Sequence, residues 1–308
     1  MTAPRVSIAM VAYNHERWIA RALESVLEQD FGDFEIVVGD DCSTDKTLAI
    51  AREFATQDPR VRLFPSDVNL GGRQNYVRTL NACRGEFINQ LDGDDFFLSP
   101  NKLSLQVARL DADPTLAGCF AASLPVGEDE RALGDAKRPR PVADRFTKAD
   151  FARYCMSDSA AMIFRRGLFG DFPDWFYTAP QGDWPLHMLN AQHGDFGYVD
   201  EVLSAYRIHS GGVWNSKSSV DRVRGNLKCQ QAFLLHFSPE EVEEILPGIV
   251  RFLLGHAKAM LSDGELEGAN LIMDWIAKHG NGCGPKVKEF KLRLWLKVAH
   301  LKQPSRQV

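Results

Sequence analysis

No Cys-x-x-Cys pair occurs among the six cysteines of this 308-residue chain. Cys42, Cys83, Cys119, Cys155, Cys229 and Cys283 are scattered. That argues against a zinc or disulfide framework and reads as the reduced thiols of a cytoplasmic protein. Excess positive charge is missing too. Lys and Arg number 36 against 41 Asp and Glu, a formal net charge of −5, so no electrostatic case exists for a nucleic-acid partner. No apolar leader precedes the first strand-like segment at Val6, and no later run reads as long enough to span a bilayer. No Gly-x-Gly-x-x-Gly follows that first strand, which disfavours a dinucleotide dehydrogenase. Internal repeats and low-complexity tracts are lacking. What remains is a globular composition, 44% hydrophobic, enough to bury a substantial core in one large domain or two.

The first hundred residues alternate strand and helix. Val6 to Val11 is an apolar run of strand length, followed by Trp18, Ile19, Ala22, Leu23, Val26 and Leu27 at helical spacing, with Asn14 placed to cap that helix. Phe34 to Val38, Val61 to Phe64 and Phe87 to Leu91 read as further strands. Between them lie helical segments carrying Leu48, Ala51 and Phe54, and Tyr76, Val77 and Leu80. Thr44 or Asp45 is placed to cap the first of these. Such alternation predicts an α/β fold with a mostly parallel central sheet flanked by helices. Ligands of such sheets bind at the carboxyl ends of the strands, where Asp40-Asp41 and Asp92-Gly93-Asp94-Asp95 both fall. Beyond them come a helix from Pro100 to Leu110, a strand from Gly118 to Ser123, and a charged, Pro-rich segment from Val126 to Pro141 that reads as a mobile loop. From Asp221 the pattern is mostly helical.

Asp92-Gly93-Asp94-Asp95 is the chemical centre. In extended chain, side chains at i and i+2 share a face, so Asp92 and Asp94 can address one cation while Asp95 points elsewhere. Carboxylate oxygens suit Mg²⁺ or Mn²⁺, and a hard cation that also binds substrate phosphates needs few protein ligands. Alone the motif is weak, because acidic turns after strands are common.

Context strengthens it. Val6-Ser7-Ile8-Ala9-Met10-Val11-Ala12-Tyr13-Asn14, then Glu35 to Thr47 around Gly39-Asp40-Asp41, then Asn69-Leu70-Gly71-Gly72-Arg73-Gln74-Asn75 and Arg84-Gly85-Glu86-Phe87-Ile88 resemble the opening half of glycosyltransferase family 2. Gly182-Asp183-Trp184-Pro185-Leu186 resembles that family's catalytic-base motif, and Tyr206-Arg207-Ile208-His209 the motif closing its catalytic domain. The elements keep the family's order from Val6 to about Val213. The first strand departs from the pattern at Val11-Ala12, where Pro-Thr or a similar pair is usual.

The resemblance implies a GT-A, Rossmann-like fold and an inverting transfer from a nucleotide diphosphate sugar, UDP-linked by default, to a hydroxyl of a glycan or glycolipid. Bacterial surface polysaccharide or glycoconjugate synthesis is the setting it suggests. It places Val11, Tyr13, Asp41, Asn69, Arg73, Asp92 and Gly93 at the donor. Asp94 with Asp92 and His209 falls at a Mn²⁺ or Mg²⁺ ion and the diphosphate, and Asp183 at the general base. Tyr13 would stack on the nucleobase, Asp41 would accept from a base imide, and Arg73 would meet the diphosphate. Asp183 has a second reading as a helix cap. Trp175 and Trp184 are either sugar-stacking surface or buried core, and Ser210 to Trp214 reads as a lid.

The expected organisation is residues 1–100 as the nucleotide-sugar-binding half, 101–220 as the acceptor-binding and catalytic half of the same domain, and 221–308 as a helical C-terminal extension. In that extension Lys286 to Lys302 forms a basic amphipathic stretch with Phe290, Leu294, Trp295 and Val298 on its apolar side. Such a stripe either packs on the catalytic domain or a second subunit, as in a homodimer, or holds the protein at the inner face of an anionic membrane. Two other functions compete: a catalytically inactive scaffold or binding module keeping the fold, and a nucleotidyltransferase. The second would need a Gly-rich, basic phosphate loop after the first strand, which Val11-Ala12-Tyr13-Asn14-His15 does not provide.

Overall fold

The computed structural model describes residues 3–214 and 216–280. The basic stripe from Lys286 to Lys302 lies outside them. The chain divides into two compact units. The first comprises Met1–Phe151, Cys155–Thr178 and Gly182–Gly212, and the second Ala152–Tyr154, Ala179–Gln181 and Val213 onward.

The first unit follows the order β1 (Val6–Ala12), α1 (Ile19–Leu27), β2 (Phe34–Asp40), α2 (Thr47–Gln57), β3 (Val61–Leu63), α3 (Gly72–Ala82) and β4 (Phe87–Asp92). It continues through β5 (Phe96–Phe97), α4 (Lys102–Ala112), β6 (Leu116–Val126), β7 (Arg145–Phe146), α5 (Lys148–Phe151), β8 (Met162–Arg165), α6 (Asp174–Thr178), α7 (Asp183–Ala191) and β9 (Asp195–Arg207). One sheet runs β3-β2-β1-β4-β8-β6-β9-β5, with β7 also on β9. β1 pairs in parallel with β2 and β4, β2 with β3, and β6 with β9. The short β8 is antiparallel to both β4 and β6 and joins the two parallel halves.

β1 is buried along almost its whole length, as a central parallel strand must be. Its residues Val6, Ile8 and Met10 share a core with Ile19, Leu23 and Val26 of α1 and with Leu103, Val107 and Leu110 of α4. One end of the sheet is locked by a buried carboxylate. Glu35 accepts from Ser7 Oγ at 2.7 Å, from Arg84 N at 2.9 Å and from the guanidinium groups of Arg62 and Arg84 at 2.5 and 2.7 Å. Burial opposes ionisation of Glu35, but these donors outweigh it and hold its pKa below the ordinary value.

Two capping expectations resolve differently. α1 begins at Ile19, and Asn14 does not cap it. Asn14 instead adopts φ 56° and accepts from Thr44 N at 2.8 Å while its own N–H donates to Ser43 Oγ at 3.0 Å. For α2 the N-cap position is Lys46, without a side-chain cap, and Asp45 one residue earlier accepts from Thr47 N at 2.9 Å. The segment after β6 folds back on its strand through bridges Val126↔Ala132 and Ser123↔Lys137.

The second unit holds α8 (Ser219–His236), α9 (Pro239–Ser262) and α10 (Leu266–His279). Ser218 caps α8, and Ser238 with Glu241 forms a capping box on α9. Against the sequence expectation, α9 is long and apolar enough by length and composition alone to cross a membrane, with mean hydropathy 1.2. Its apolar side is nonetheless used inside the unit: Ile245, Ile249, Val250, Leu253, Ala257 and Met260 are buried, and α9 packs on α8 and α10.

Candidate active site

The sheet order puts the site where parallel neighbours of β1 end. In register, Val11 lies beside Gly39 of β2 and Asp92 of β4, and Ala12 beside Asp40. Both acidic turns therefore emerge at the carboxyl edge on either side of β1, where α/β sheets bind ligands.

The β2 turn is tightly tied. Asp41 is buried, its N–H donates to Ala12 O at 2.9 Å, and its Oδ1 accepts from Leu70 N at 2.8 Å. Asp40 is buried and accepts from Ser43 N at 3.0 Å. Tyr13, at the end of β1, leaves 44% of its surface exposed, so its ring is available for stacking. Asn69 accepts from Gly71 N at 3.0 Å, which shapes the entry to α3.

The β4 turn concentrates charge. Asp92 ends the strand, and Oδ1 accepts from Gln90 Nε2 at 3.1 Å; Gln90 in turn accepts from Tyr76 OH at 2.6 Å. Burial, then the neighbouring carboxylates Asp94 and Asp183, push the Asp92 pKa up to about 7. Gly93 donates to Val11 O at 2.8 Å. A Cβ at Gly93 would lie 2.8 Å from His15 Nδ1 and 3.0 Å from Ile19 Cδ1, so a side chain here would have to push the His15 ring aside. Asp94 takes a 3.0 Å hydrogen bond with His209 Nε2, and His15 Nε2 stands 3.8 Å from the same oxygen. Burial alone would raise the Asp94 pKa, but the His209 hydrogen bond and the charge of His15 outweigh it and hold it below the usual value. Asp95 is buried and points away from this cluster: its Oδ1 accepts from Arg207 N at 2.7 Å.

Asp183 is the first residue of α7. Its Oδ1 accepts from Trp184 N at 2.8 Å, and Cys155 Sγ lies 3.5 Å from Oδ2. Burial raises its pKa above the ordinary aspartate value, with Asp158 adding to the effect while the Trp184 N–H opposes it. The Arg73 guanidinium lies over the Phe176 ring at 5.0 Å, and a Cβ at Gly182 would fall 2.3 Å from Arg73 Nη1. Arg73 thus packs beside the Gly182-Asp183 turn. Trp184 is a core residue, buried with its Nε1 donating to Phe151 O at 2.7 Å. It is not stacking surface, because α7 is buried on all sides from Trp184 to Ala191.

Several residues that matter here were not singled out from the sequence. Arg207 is buried and donates through Nε to Asp94 O at 2.8 Å and through Nη2 to Glu130 at 2.9 Å, pinning the acidic turn. Trp18 packs on His209 with ring centroids 4.2 Å apart and the planes tilted by 46°. Gln90, at i−2 from Asp92 on the same strand face, was legible from period-two alternation alone.

Among the described residues, no group of three or more His, Cys, Asp or Glu is arranged to hold a metal ion. Asp92, Asp94 and His209 are close without forming a closed cage. The oxygen-rich, crowded carboxylates fit a hard divalent cation that takes its remaining ligands from a bound diphosphate.

A mostly parallel sheet carrying two acidic turns at its carboxyl edge, with a further aspartate opening α7, is the arrangement of a GT-A glycosyltransferase. The Glycosyl transferase family 2 profile matches residues 7–171, and the chain belongs to that family. Protein Rv1520 of Mycobacterium tuberculosis is 32% identical over 217 residues, 68% of this chain and 61% of that protein. The chain therefore spans less than two thirds of that relative. Chondroitin synthase of Escherichia coli is 42% identical over 120 residues, 39% of this chain and 17% of the synthase. Two solved structures share the fold. S. aureus TarS 1-349 in complex with UDP-GlcNAc has a TM-score of 0.63 at 20% identity, over 89% of this chain and 81% of that one. The mannosyltransferase PcManGT from Pyrobaculum calidifontis, in complex with GDP-Man and Mn2+, has a TM-score of 0.65 at 20% identity, over 98% and 82%.

Proposed function

We propose that the protein moves a sugar from a nucleotide diphosphate sugar, UDP-linked, to a hydroxyl of a glycan or glycolipid acceptor with inversion at the sugar C1. The observation that carries this reading is the convergence of Asp92, Asp94 and His209 near Asp183: His209 meets Asp94 at 3.0 Å, and Asp183 lies near enough to Asp92 to raise its pKa. The UDP-GlcNAc bound to TarS and the GDP-Man and Mn2+ bound to the mannosyltransferase support the ligand class. The chondroitin synthase relative supports a role in polysaccharide synthesis.

Tyr13 stacks on the nucleobase. Val11, Asp41, Asn69 and Gly93 line the donor side, and Arg73 serves the diphosphate or the turn it packs on. Asp92, Asp94 and His209 hold Mn²⁺ or Mg²⁺. That cation, when bound, stabilises the negative charge developing on the departing nucleoside diphosphate. Asp183 takes the proton of the acceptor hydroxyl. Its Oδ1 is fixed by Trp184 N–H, while the weak Cys155 thiol donor lies 3.5 Å from Oδ2, a contact an acceptor hydroxyl can displace. A raised pKa suits a general base, since it holds the accepted proton more firmly. Residues 1–100 and 101–220 act as donor and acceptor halves in this reading, and the tail holds the enzyme near a membrane-borne acceptor or a second subunit.

Donor hydrolysis measured across UDP-, dTDP- and GDP-sugars, with Mn²⁺ and with EDTA, tests the proposal. Metal-dependent release of one nucleoside diphosphate is expected. No release, and no thermal stabilisation by any of the three nucleotides, would favour the inactive scaffold.

A further inference from the structure

Asp94 is bracketed by two imidazoles from opposite ends of the first unit, and of the two only His209 lies within hydrogen-bond distance of it. His209 meets Asp94 Oδ2 at 3.0 Å. His15 Nε2 stands 3.8 Å from the same oxygen, beyond hydrogen-bond length, and its Nδ1 is buried without a hydrogen-bond partner. The His15 side chain keeps 19% of its surface exposed, and Nδ1 is packed at the Gly93 turn, which leaves Nε2 as the ring atom toward the carboxylates.

The loop that carries His15 is built to hold it there. His15 N donates to Thr47 Oγ1 at 2.7 Å and Glu16 N to Asp45 Oδ2 at 3.0 Å, while Lys46 N donates back to Glu16 Oε2 at 2.9 Å. Asn14 is turned into the left-handed region just before it. The ring is set from two sides. Trp18 meets it edge-on at 6.2 Å and packs on His209 at 4.2 Å, and Gly93 leaves the room a Cβ would take. These contacts hold the His15 ring with Nε2 toward Asp94 and outside hydrogen-bond distance of it.

We infer that His15 is a diphosphate-binding residue, its Nε2–H donating to a phosphoryl oxygen of the donor that lies against Asp94. The assignment rests on the donor reading above. A hydrogen bond from a fixed donor to a charged oxygen changes affinity by about tenfold or more.

The test is calorimetric binding of UDP and of inorganic pyrophosphate, each with Mn²⁺, to the full chain, together with Mn²⁺ binding alone by electron paramagnetic resonance. Two variants separate donor reach from packing. The Gln amide of His15→Gln reaches the Nε2 position, whereas that of His15→Asn stops at Nδ1. UDP and pyrophosphate should weaken about tenfold or more in the Asn variant and stay within about threefold of wild type in the Gln variant. Mn²⁺ binding alone should be unchanged in both. Equal affinity in the Asn variant, or loss of Mn²⁺ binding without nucleotide, overturns the assignment. So does a change in melting temperature with no change in affinity, which would make His15 a packing residue. If wild type binds neither probe, the donor reading falls first and this inference with it. If wild type binds both and His209→Ala abolishes binding while His15→Asn does not, only this inference fails.

Discussion

Lys102 is fully buried at the start of α4, and replacing it should stabilise the protein at neutral pH. Its Nζ donates to Gln106 Oε1 at 2.7 Å and lies 4.3 Å from the Phe97 ring centroid. Burial pushes its pKa from 10.5 down to about 7. A fall of about 3.5 units corresponds to about 5 kcal/mol of unfavourable charge burial. Because the folded pKa is lowered, the unfolded chain binds more protons between about pH 7 and 10.5, and stability from this group rises with pH across that window. The full cost is present below about pH 7 and fades toward pH 10.5. In Lys102→Met the cost disappears, but Gln106 Oε1 loses its partner in the core, a penalty of about 1–3 kcal/mol. The net expectation is that Lys102→Met is more stable than wild type by about 1–3 kcal/mol at pH 7. The advantage should shrink and reverse as the pH approaches 10. Cys83, whose pKa burial raises to about 12, weakens both proteins alkaline of its unfolded value, so the difference between the two proteins is the quantity to read. Guanidinium unfolding at pH 6.5, 8 and 9.5 supplies it. A variant less stable than wild type at pH 6.5, or a difference that does not change with pH, would refute the reasoning.

Asp183→Asn should keep UDP affinity in the presence of Mn²⁺ and lose transfer by about 10²-fold or more, which separate binding and turnover assays will check. In wild type the rate should fall as the pH drops through the raised Asp183 pKa, since the base works only when ionised; an acid limb at an ordinary aspartate value would argue against that environment. UDP should bind much more weakly in EDTA than with Mn²⁺, because Asp92 and Asp94 face an anionic ligand, and equal affinity in the two would remove the metal-bridging role. Gly85→Ala should cost about 2 kcal/mol or more, since its Cβ would lie 2.5 Å from Ser7 N and 2.8 Å from Val6 C, both backbone; a melting temperature equal to wild type would show that the strand ends relax.

The parts of this protein readable from sequence are those encoded within a few residues. Alternating strand and helix, the apolar runs at Val6, Phe34 and Phe87, and turns at Asp40-Asp41 and Asp92 to Asp95 follow from local periodicity, and β1, β2 and β4 lie there. The order of short motifs identified the family because several weak signals had to agree at once. Tertiary structure decided what each motif touches. That β8 slots antiparallel between β4 and β6 depends on strand pairing far along the chain, Asn89 with Ile163 and Phe120 with Met162. That Asp95 is spent on Arg207, at a separation of 112 residues, and Asp94 on His209, at 115, depends on the register of β9 against the rest of the sheet. No window of sequence contains that register. The inward turn of Trp184, the packing of Arg73 on Gly182 and the approach of His15 to Asp94 share this origin: burial and contact are set by which elements meet, and local propensity carries no information about the partner.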